Sequence, residues 1–83
     1  MRVLYFGAEF CSQCKMWKPK VEALCKELDV PFNYNDVEEN PSWSALYGFR
    51  NIPFVILEDE TGDRIASGPA ADVYKELEKY KEK

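Results

Sequence analysis

The chain has 83 residues, 46% hydrophobic and 14% aromatic, which suits a single packed domain over residues 1–83 and is too apolar for a disordered chain. Its net charge of −4 argues against nucleic-acid binding, and no apolar run reaches the length of a membrane span. Three cysteines is an odd count for a disulfide-stapled secreted domain. We therefore expect a cytoplasmic protein in which any disulfide is catalytic or transient.

The first predicted element is a buried strand over Val3–Phe6, an apolar run too short for a signal peptide. A loop leads from it to Cys11-Ser-Gln-Cys14, at the head of a helix predicted from Cys11 to about Leu28. Pro19 lies inside that helix, removes one backbone hydrogen bond and is expected to kink it.

Two thiols on one helical turn can close into a small disulfide, and the positive end of a helix stabilises a thiolate. The pair Cys11 and Cys14 could therefore exchange two electrons with another disulfide. A C-x-x-C motif alone is ambiguous, because it could also be half of a zinc site or two core thiols. A zinc site needs four ligands, and the sequence has no histidine and one further cysteine, so no metal is expected.

The remaining cysteine, Cys25, lies eleven residues after Cys14 on the same predicted helix. At about 1.5 Å per residue the two are roughly 16 Å apart, beyond the reach of a disulfide. Cys25 falls on the apolar stripe of the helix, which indicates core packing; a regulatory thiol is the minor alternative.

The rest of the chain alternates strands and helices, each bounded by residues typical of turns or caps. Phe32–Val37 has one polar face and predicts an edge strand, and Asn40-Pro41 predicts a helix start with Asn40 as the N-cap. The later elements are a helix ending at Gly48, strands over Phe54–Leu57 and Arg64–Ser67 joined by a turn at Asp59–Gly62, and a helix over about Ala71–Tyr80.

This order is β-α-β-α-β-β-α, an α/β arrangement. A strand-helix-strand unit implies a parallel pair with a right-handed crossover, and the later hairpin adds two antiparallel strands. We therefore predict a four-stranded mixed sheet flanked by three helices. The first and third strands should be central, because they are apolar on both faces.

Two segments carry a resemblance to a known family. The run Phe6-Gly-Ala-Glu-Phe-Cys11-Ser-Gln-Cys14-Lys-Met-Trp-Lys-Pro19 resembles the thioredoxin active-site segment F-W-A-x-W-C-G-P-C-K, with its helix-kinking proline. Asp36-Val37, Asn40-Pro41 and Tyr47-Gly-Phe-Arg-Asn-Ile-Pro53-Phe-Val-Ile-Leu57 resemble that family's D-x-x-x-N-P segment and its loop with a cis-proline. The resemblance spans nearly the whole chain, without the family's usual extra N-terminal strand and helix.

The resemblance implies a thioredoxin-like fold and a protein-disulfide reductase with no cofactor of its own. Cys11 would attack the target disulfide and Cys14 would resolve the mixed disulfide. The implied partners are oxidised protein substrates and a flavin-dependent reductase of the thioredoxin-reductase type or another dithiol reductase. The protein itself is expected to be a monomer.

Six residues around the cysteines are the candidates for contacting substrate. The resemblance places Pro53 beside Cys11 and lets Ile52 offer its backbone to an extended substrate strand. The other candidates precede the first thiol, lie between the two thiols or end the fourth strand; they are Phe10, Ser12, Gln13 and Gly68.

Several residues depart from the thioredoxin pattern. Tyr5 stands where thioredoxins keep a buried aspartate that helps to move the proton of the second cysteine, and Phe32 falls roughly where its lysine partner is expected. Losing both together avoids an unpaired buried charge. Water or the Tyr5 hydroxyl then become the candidates for that proton. Gly7 replaces a large aromatic residue, Ser12-Gln13 replaces Gly-Pro, and Phe54 replaces a threonine.

Two alternatives to a thioredoxin-type reductase remain open. One is a glutathione-dependent glutaredoxin, since the size fits and Ser67-Gly68-Pro69-Ala70-Ala71-Asp72 loosely resembles that family's Gly-Gly-x-Asp-Asp segment. The other is a non-catalytic binding module with a thioredoxin fold. The presence of both Cys11 and Cys14 argues against the second alternative.

Overall fold

The computed structural model describes residues 1–81 and contains four strands and three helices in the predicted order. In chain order they are β1 (Arg2–Gly7), α1 (Ser12–Glu27), β2 (Phe32–Asp36), α2 (Ser42–Tyr47), β3 (Phe54–Glu58), β4 (Arg64–Pro69) and α3 (Ala70–Lys81). The predicted thioredoxin-like α/β fold with a mixed sheet is confirmed.

The strands form one sheet in the order β2-β1-β3-β4. β1 runs parallel to β2 and antiparallel to β3, which pairs antiparallel with β4. The two apolar strands β1 and β3 are central and almost fully buried, and β2 with its polar face is at an edge, as predicted. The register sets Tyr5 opposite Tyr34, and Gly7 opposite Asp36, across the β1–β2 pair.

The alternating side chains of β1 divide the core between the two faces of the sheet. Val3 and Tyr5 belong to the larger cluster, which holds the buried residues of α1 and α3. Leu4 and Phe6 belong to a second cluster, against which Trp43 and Tyr47 of α2 pack. β1 therefore contributes side chains to both core clusters, and it ends beside the first turn of α1.

The start of α2 differs from the sequence prediction. Pro41, not Asn40, occupies the N-cap, and no side chain caps the helix. The Asn40 side-chain oxygen accepts instead from the Ser42 hydroxyl at 2.5 Å. The predicted end at Gly48 is observed with φ of 75°, a left-handed conformation in which glycine is favoured.

The longest helix, α1, continues across Pro19 without interruption. A bend at this proline remains a prediction. Within residues 1–81, no helix is both long and apolar enough to cross a membrane.

Candidate redox site

The two cysteines of the C-x-x-C motif lie where β1 gives way to α1. Cys11 is the N-cap of α1, and Cys14 lies inside its first turn. The two are joined by a disulfide, with their Cα atoms 5.2 Å apart. The Cys14 amide donates to Cys11 Sγ at 3.2 Å, so the sulfur of Cys11 takes the capping role that an oxygen usually has. A backbone amide in this position is able to donate to a thiolate as well.

The two sulfurs differ in their access to solvent. Cys11 is partly exposed at the surface of the domain, whereas Cys14 is 2% exposed. Cys11 is therefore the sulfur that another molecule can reach more readily.

The loop before β3 lies opposite Cys11. The Ile52–Pro53 peptide bond is cis. The Ile52 carbonyl oxygen lies 3.9 Å from Cys11 Sγ. The loop thus sets the Ile52 backbone beside the Cys11 sulfur, where an extended peptide could pair with it.

A groove of about 620 Å³ opens beside Cys11. Three of the predicted substrate residues line it: Phe10, which is 74% exposed, Ser12 and Ile52. The sequence analysis missed the rest of the lining, which comes from the end of β2, α2 and the loop after it: Val37, Pro41, Ser44, Phe49, Arg50 and Asn51. The conspicuous Tyr47–Leu57 segment could have drawn attention to Arg50 and Asn51.

The other three predicted substrate residues lie elsewhere around the site. Pro53 and Gly68 line an adjoining hollow of about 290 Å³, which shares Arg50 and Ile52 with the groove. Gln13 is exposed on α1 and lies outside the lining of both.

Tyr5 lies behind Cys14, at the position of the family's buried aspartate. Its buried hydroxyl donates to the Cys14 carbonyl oxygen at 2.8 Å. Burial, and then the neighbouring Tyr34, raise the pKa of Tyr5 well above its ordinary value. The hydroxyl is therefore a donor that stays protonated. Of the two candidates for the Cys14 proton, the geometry disfavours Tyr5 and leaves water.

Two aromatic side chains of β2 lie beside Tyr5. Tyr34 is its register partner, and the two rings stack with centroids 5.9 Å apart. Phe32 contacts Tyr5 as well, at 5.7 Å. Phe32 and Tyr34 together therefore occupy the space beside Tyr5, and within residues 1–81 no charged side chain is fully buried.

Gly7, the last residue of β1, passes close to Cys14. A Cβ atom placed on Gly7 would lie 3.1 Å from both Cβ and Sγ of Cys14 and 3.3 Å from the Tyr5 ring. The absence of a side chain at Gly7 therefore lets the second sulfur sit against the sheet.

Cys25 is fully buried in the larger core cluster, as its place on the apolar stripe predicted. Burial, and then the nearby Glu22, raise the pKa of its thiol to about 11. It is a free thiol and takes no part in the disulfide. Across residues 1–81, no three histidine, cysteine, aspartate or glutamate side chains come together as metal ligands.

Comparison with known proteins agrees with this geometry. The family model for thioredoxin matches residues 1–81. The thioredoxin of the alga Porphyra purpurea is 30% identical over 81 residues, covering 90% of this chain and 75% of its own. Thioredoxin 1 of Thermosipho africanus superposes with a TM-score of 0.83 at 31% identity, over 99% of this chain and 96% of its own.

Other relatives match over a shorter stretch. The thioredoxin of Rickettsia bellii is 41% identical over 54 residues, which are 63% of this chain and 51% of that protein. The chain thus spans about half the length of the first Rickettsia relatives that it matches. Fold and site together define a thioredoxin-fold protein with a helix-head dithiol. The chain belongs to the thioredoxin family.

Proposed function

We propose that this protein is a thiol–disulfide oxidoreductase that reduces disulfides of other proteins. The observation that carries the proposal is the Cys11–Cys14 disulfide itself, with one sulfur capping α1 at the surface and the other enclosed behind it. Membership of the thioredoxin family favours this reading over the glutathione-dependent and non-catalytic alternatives.

The reaction starts from the reduced dithiol. The Cys11 thiolate, stabilised by the Cys14 amide and the end of α1, attacks one sulfur of a target disulfide, and the other target sulfur leaves as a thiolate. The Cys14 thiol then loses its proton and attacks Cys11 Sγ. The Cys11–Cys14 bond forms, the bond between Cys11 and the target breaks, and the second target sulfur leaves with the electron pair.

The groove beside Cys11 is the proposed docking site for the target. Phe10 offers an exposed apolar surface at its rim, and the Ile52 backbone lies next to the attacking sulfur. Ser12 also lines the groove, and Pro53 and Gly68 extend it into the adjoining hollow. Gln13, exposed on the first turn of α1, would touch only a target large enough to overhang that turn.

The disulfide formed in each cycle has to be reduced again. We propose a dithiol reductase, such as a flavoprotein of the thioredoxin-reductase type, as the electron donor, and oxidised cytoplasmic proteins as the targets. The protein would act as a monomer, because its groove and both cysteines belong to one chain.

Reduction of insulin disulfides tests the activity and separates the alternatives. With dithiothreitol as the electron source, the protein should accelerate insulin reduction well above the rate with dithiothreitol alone. With glutathione and glutathione reductase as the sole source, no acceleration is expected. Turnover driven by glutathione would favour a glutaredoxin, and no acceleration with either source would favour a binding module.

Cysteine variants test the assigned roles. Cys11→Ser should abolish the acceleration, and Cys14→Ser should accumulate a mixed disulfide with the substrate through Cys11. Cys25→Ala is the matched control and should keep full activity, because Cys25 is enclosed in the core. Full activity of Cys11→Ser would refute the mechanism.

A further inference from the structure

A second opening lies beside the disulfide and is lined by residues other than those of the groove. This opening is a crevice of about 170 Å³, and Cys14 forms part of its wall. The other lining residues are Ala8, Glu9, Lys15, Lys18, Tyr34 and Asp36. At about 30 Å³ for each water molecule, the crevice can hold several waters, and its polar walls offer them partners.

The strand register explains which residues of β2 line the crevice. Val3, Tyr5 and Gly7 alternate onto the α1 side of β1, and Tyr34 and Asp36 follow the same alternation on β2. Gly7 and Asp36 are register partners, and the missing side chain of Gly7 would have pointed at Cys14 Sγ. Cys14 therefore packs against the end of β1, Asp36 lies beside that end on β2, and both residues line the crevice.

From this geometry we propose that Asp36 accepts the proton of the Cys14 thiol, through water in the crevice, during resolution of the mixed disulfide. The inference rests on the proposed function. Tyr5 stands on β1 where the resemblance to thioredoxins places a buried aspartate, so the carboxylate would here come from the neighbouring strand β2. The proton passes from Cys14 Sγ to water and on to Asp36, which returns it to solvent once the Cys11–Cys14 bond has formed.

Asp36 is better placed for this role than the other charged groups around Cys14. It is partly buried at the end of a strand, and its Oδ1 atom accepts from the Glu38 amide at 2.8 Å, which fixes the side chain. Glu9 is exposed on the loop between β1 and α1.

The remaining titratable groups facing Cys14 cannot accept a proton. Lys18 holds its ammonium 4.5 Å from the centre of the Tyr34 ring, and Lys15, like Lys18, is a cation. The Tyr34 hydroxyl stays protonated, since burial, then Asp36 and the neighbouring glutamates, raise its pKa. The Tyr5 hydroxyl already donates its proton in a hydrogen bond to the Cys14 carbonyl oxygen.

The test follows the two chemical steps separately in a single turnover. The reduced protein is mixed with an aromatic disulfide whose released thiolate is coloured: attack by Cys11 releases the first thiolate, and resolution by Cys14 releases the second. Asp36→Asn should slow the second phase about tenfold near neutral pH and leave the first unchanged. The loss is bounded at roughly thirtyfold, because a few per cent of an ordinary thiol is already ionised at pH 7.

Two further readouts exclude a merely structural effect. From about pH 6 to 9 the rate of the second phase in Asp36→Asn should rise in proportion to the hydroxide concentration. In the unmodified chain this rate should change little at the acidic end of the range. Formate, a carboxylate small enough for the crevice, should restore the second phase of Asp36→Asn in proportion to its concentration. Potassium chloride at equal ionic strength should not. The asparagine side-chain oxygen can still accept from the Glu38 amide, so the loop should keep its shape.

Glu9→Gln is the matched control, because it removes the other carboxylate that lines the crevice. It should leave both phases unchanged. The inference is overturned if Asp36→Asn leaves the second phase unchanged, if formate gives no rescue, or if Glu9→Gln has the larger effect. Absence of the first phase in the unmodified protein would instead overturn the proposed function, and this inference with it.

Discussion

Gly7 is the residue on which the packing around Cys14 depends. A Cβ atom there would sit 3.1 Å from two atoms of Cys14, closer than ordinary contact, and neither those atoms nor the strand can move freely. We expect Gly7→Ala to lower the free energy of unfolding of the oxidised protein by about 1 kcal/mol, as overpacking outweighs the smaller entropy of the unfolded chain. Urea unfolding would measure this loss of stability. An unchanged midpoint would show that the sheet accommodates the added methyl group without loss of stability.

Cys25 should couple stability to alkaline pH. Burial raises the pKa of its thiol to about 11, so the folded protein holds this proton more tightly than the unfolded chain does. Its contribution to stability is therefore complete below the ordinary thiol pKa and is lost as the pH rises towards 11. The unfolding free energy of the oxidised protein should fall over this window, and that of Cys25→Ala should fall less.

Alkylation gives an independent check of the same thiol. Iodoacetamide should not modify Cys25 in the folded, oxidised protein near pH 8, and should do so readily in denaturant. Rapid modification of the folded protein would contradict the buried position.

At the scale of the elements, two ion pairs differ in what they contribute. Arg2 and Glu58 join β1 to β3 at 2.6 Å with the Glu58 side chain 12% exposed, whereas Lys81 and Glu27 join α3 to α1 at 3.4 Å with both side chains about half exposed. We expect Glu58→Gln to cost about 1 kcal/mol of stability and Glu27→Gln less than about 0.5 kcal/mol. Thermal unfolding would rank the two variants by their loss of stability, and about 1 M salt should reduce the difference between the two losses. Equal costs would contradict this ranking.

The elements themselves were largely predictable from the sequence, because each has a strong local pattern. The apolar runs at Val3–Phe6 and Phe54–Leu57 required central strands, and Gly48 marked the end of α2. The start of α2 was misplaced because the Asn40 side chain bonds to Ser42 rather than to the helix backbone.

The surroundings of the cysteines were less predictable, since they depend on strand register and loop path. Tyr34 meets Tyr5 only through the β1–β2 register, and no local pattern reveals which residue of β2 lies opposite. Likewise Phe49 and Arg50 reach the groove through the path of the loop after α2. The lining of the crevice beside Cys14 comes from α1, from β2 and from the loop between β1 and α1, so it too depends on the strand register.

For the whole molecule, the two core clusters share the central strands and should unfold together. Trp17 packs against the larger cluster and Trp43 against the smaller one. We therefore expect Trp17→Phe and Trp43→Phe proteins each to show coincident transitions by fluorescence and far-ultraviolet circular dichroism. A fluorescence transition that preceded the loss of secondary structure in one variant would show that its cluster unfolds separately.

The groove beside Cys11 and the crevice beside Cys14 have no lining residue in common. One opening faces α2 and the loop before β3, and the other faces β2. A protein bound only at the groove would leave the crevice beside Cys14 uncovered. Tight binding of a target at the groove and fast resolution by Cys14 would then not compete, because a target that covers the groove does not exclude water from the crevice beside Cys14.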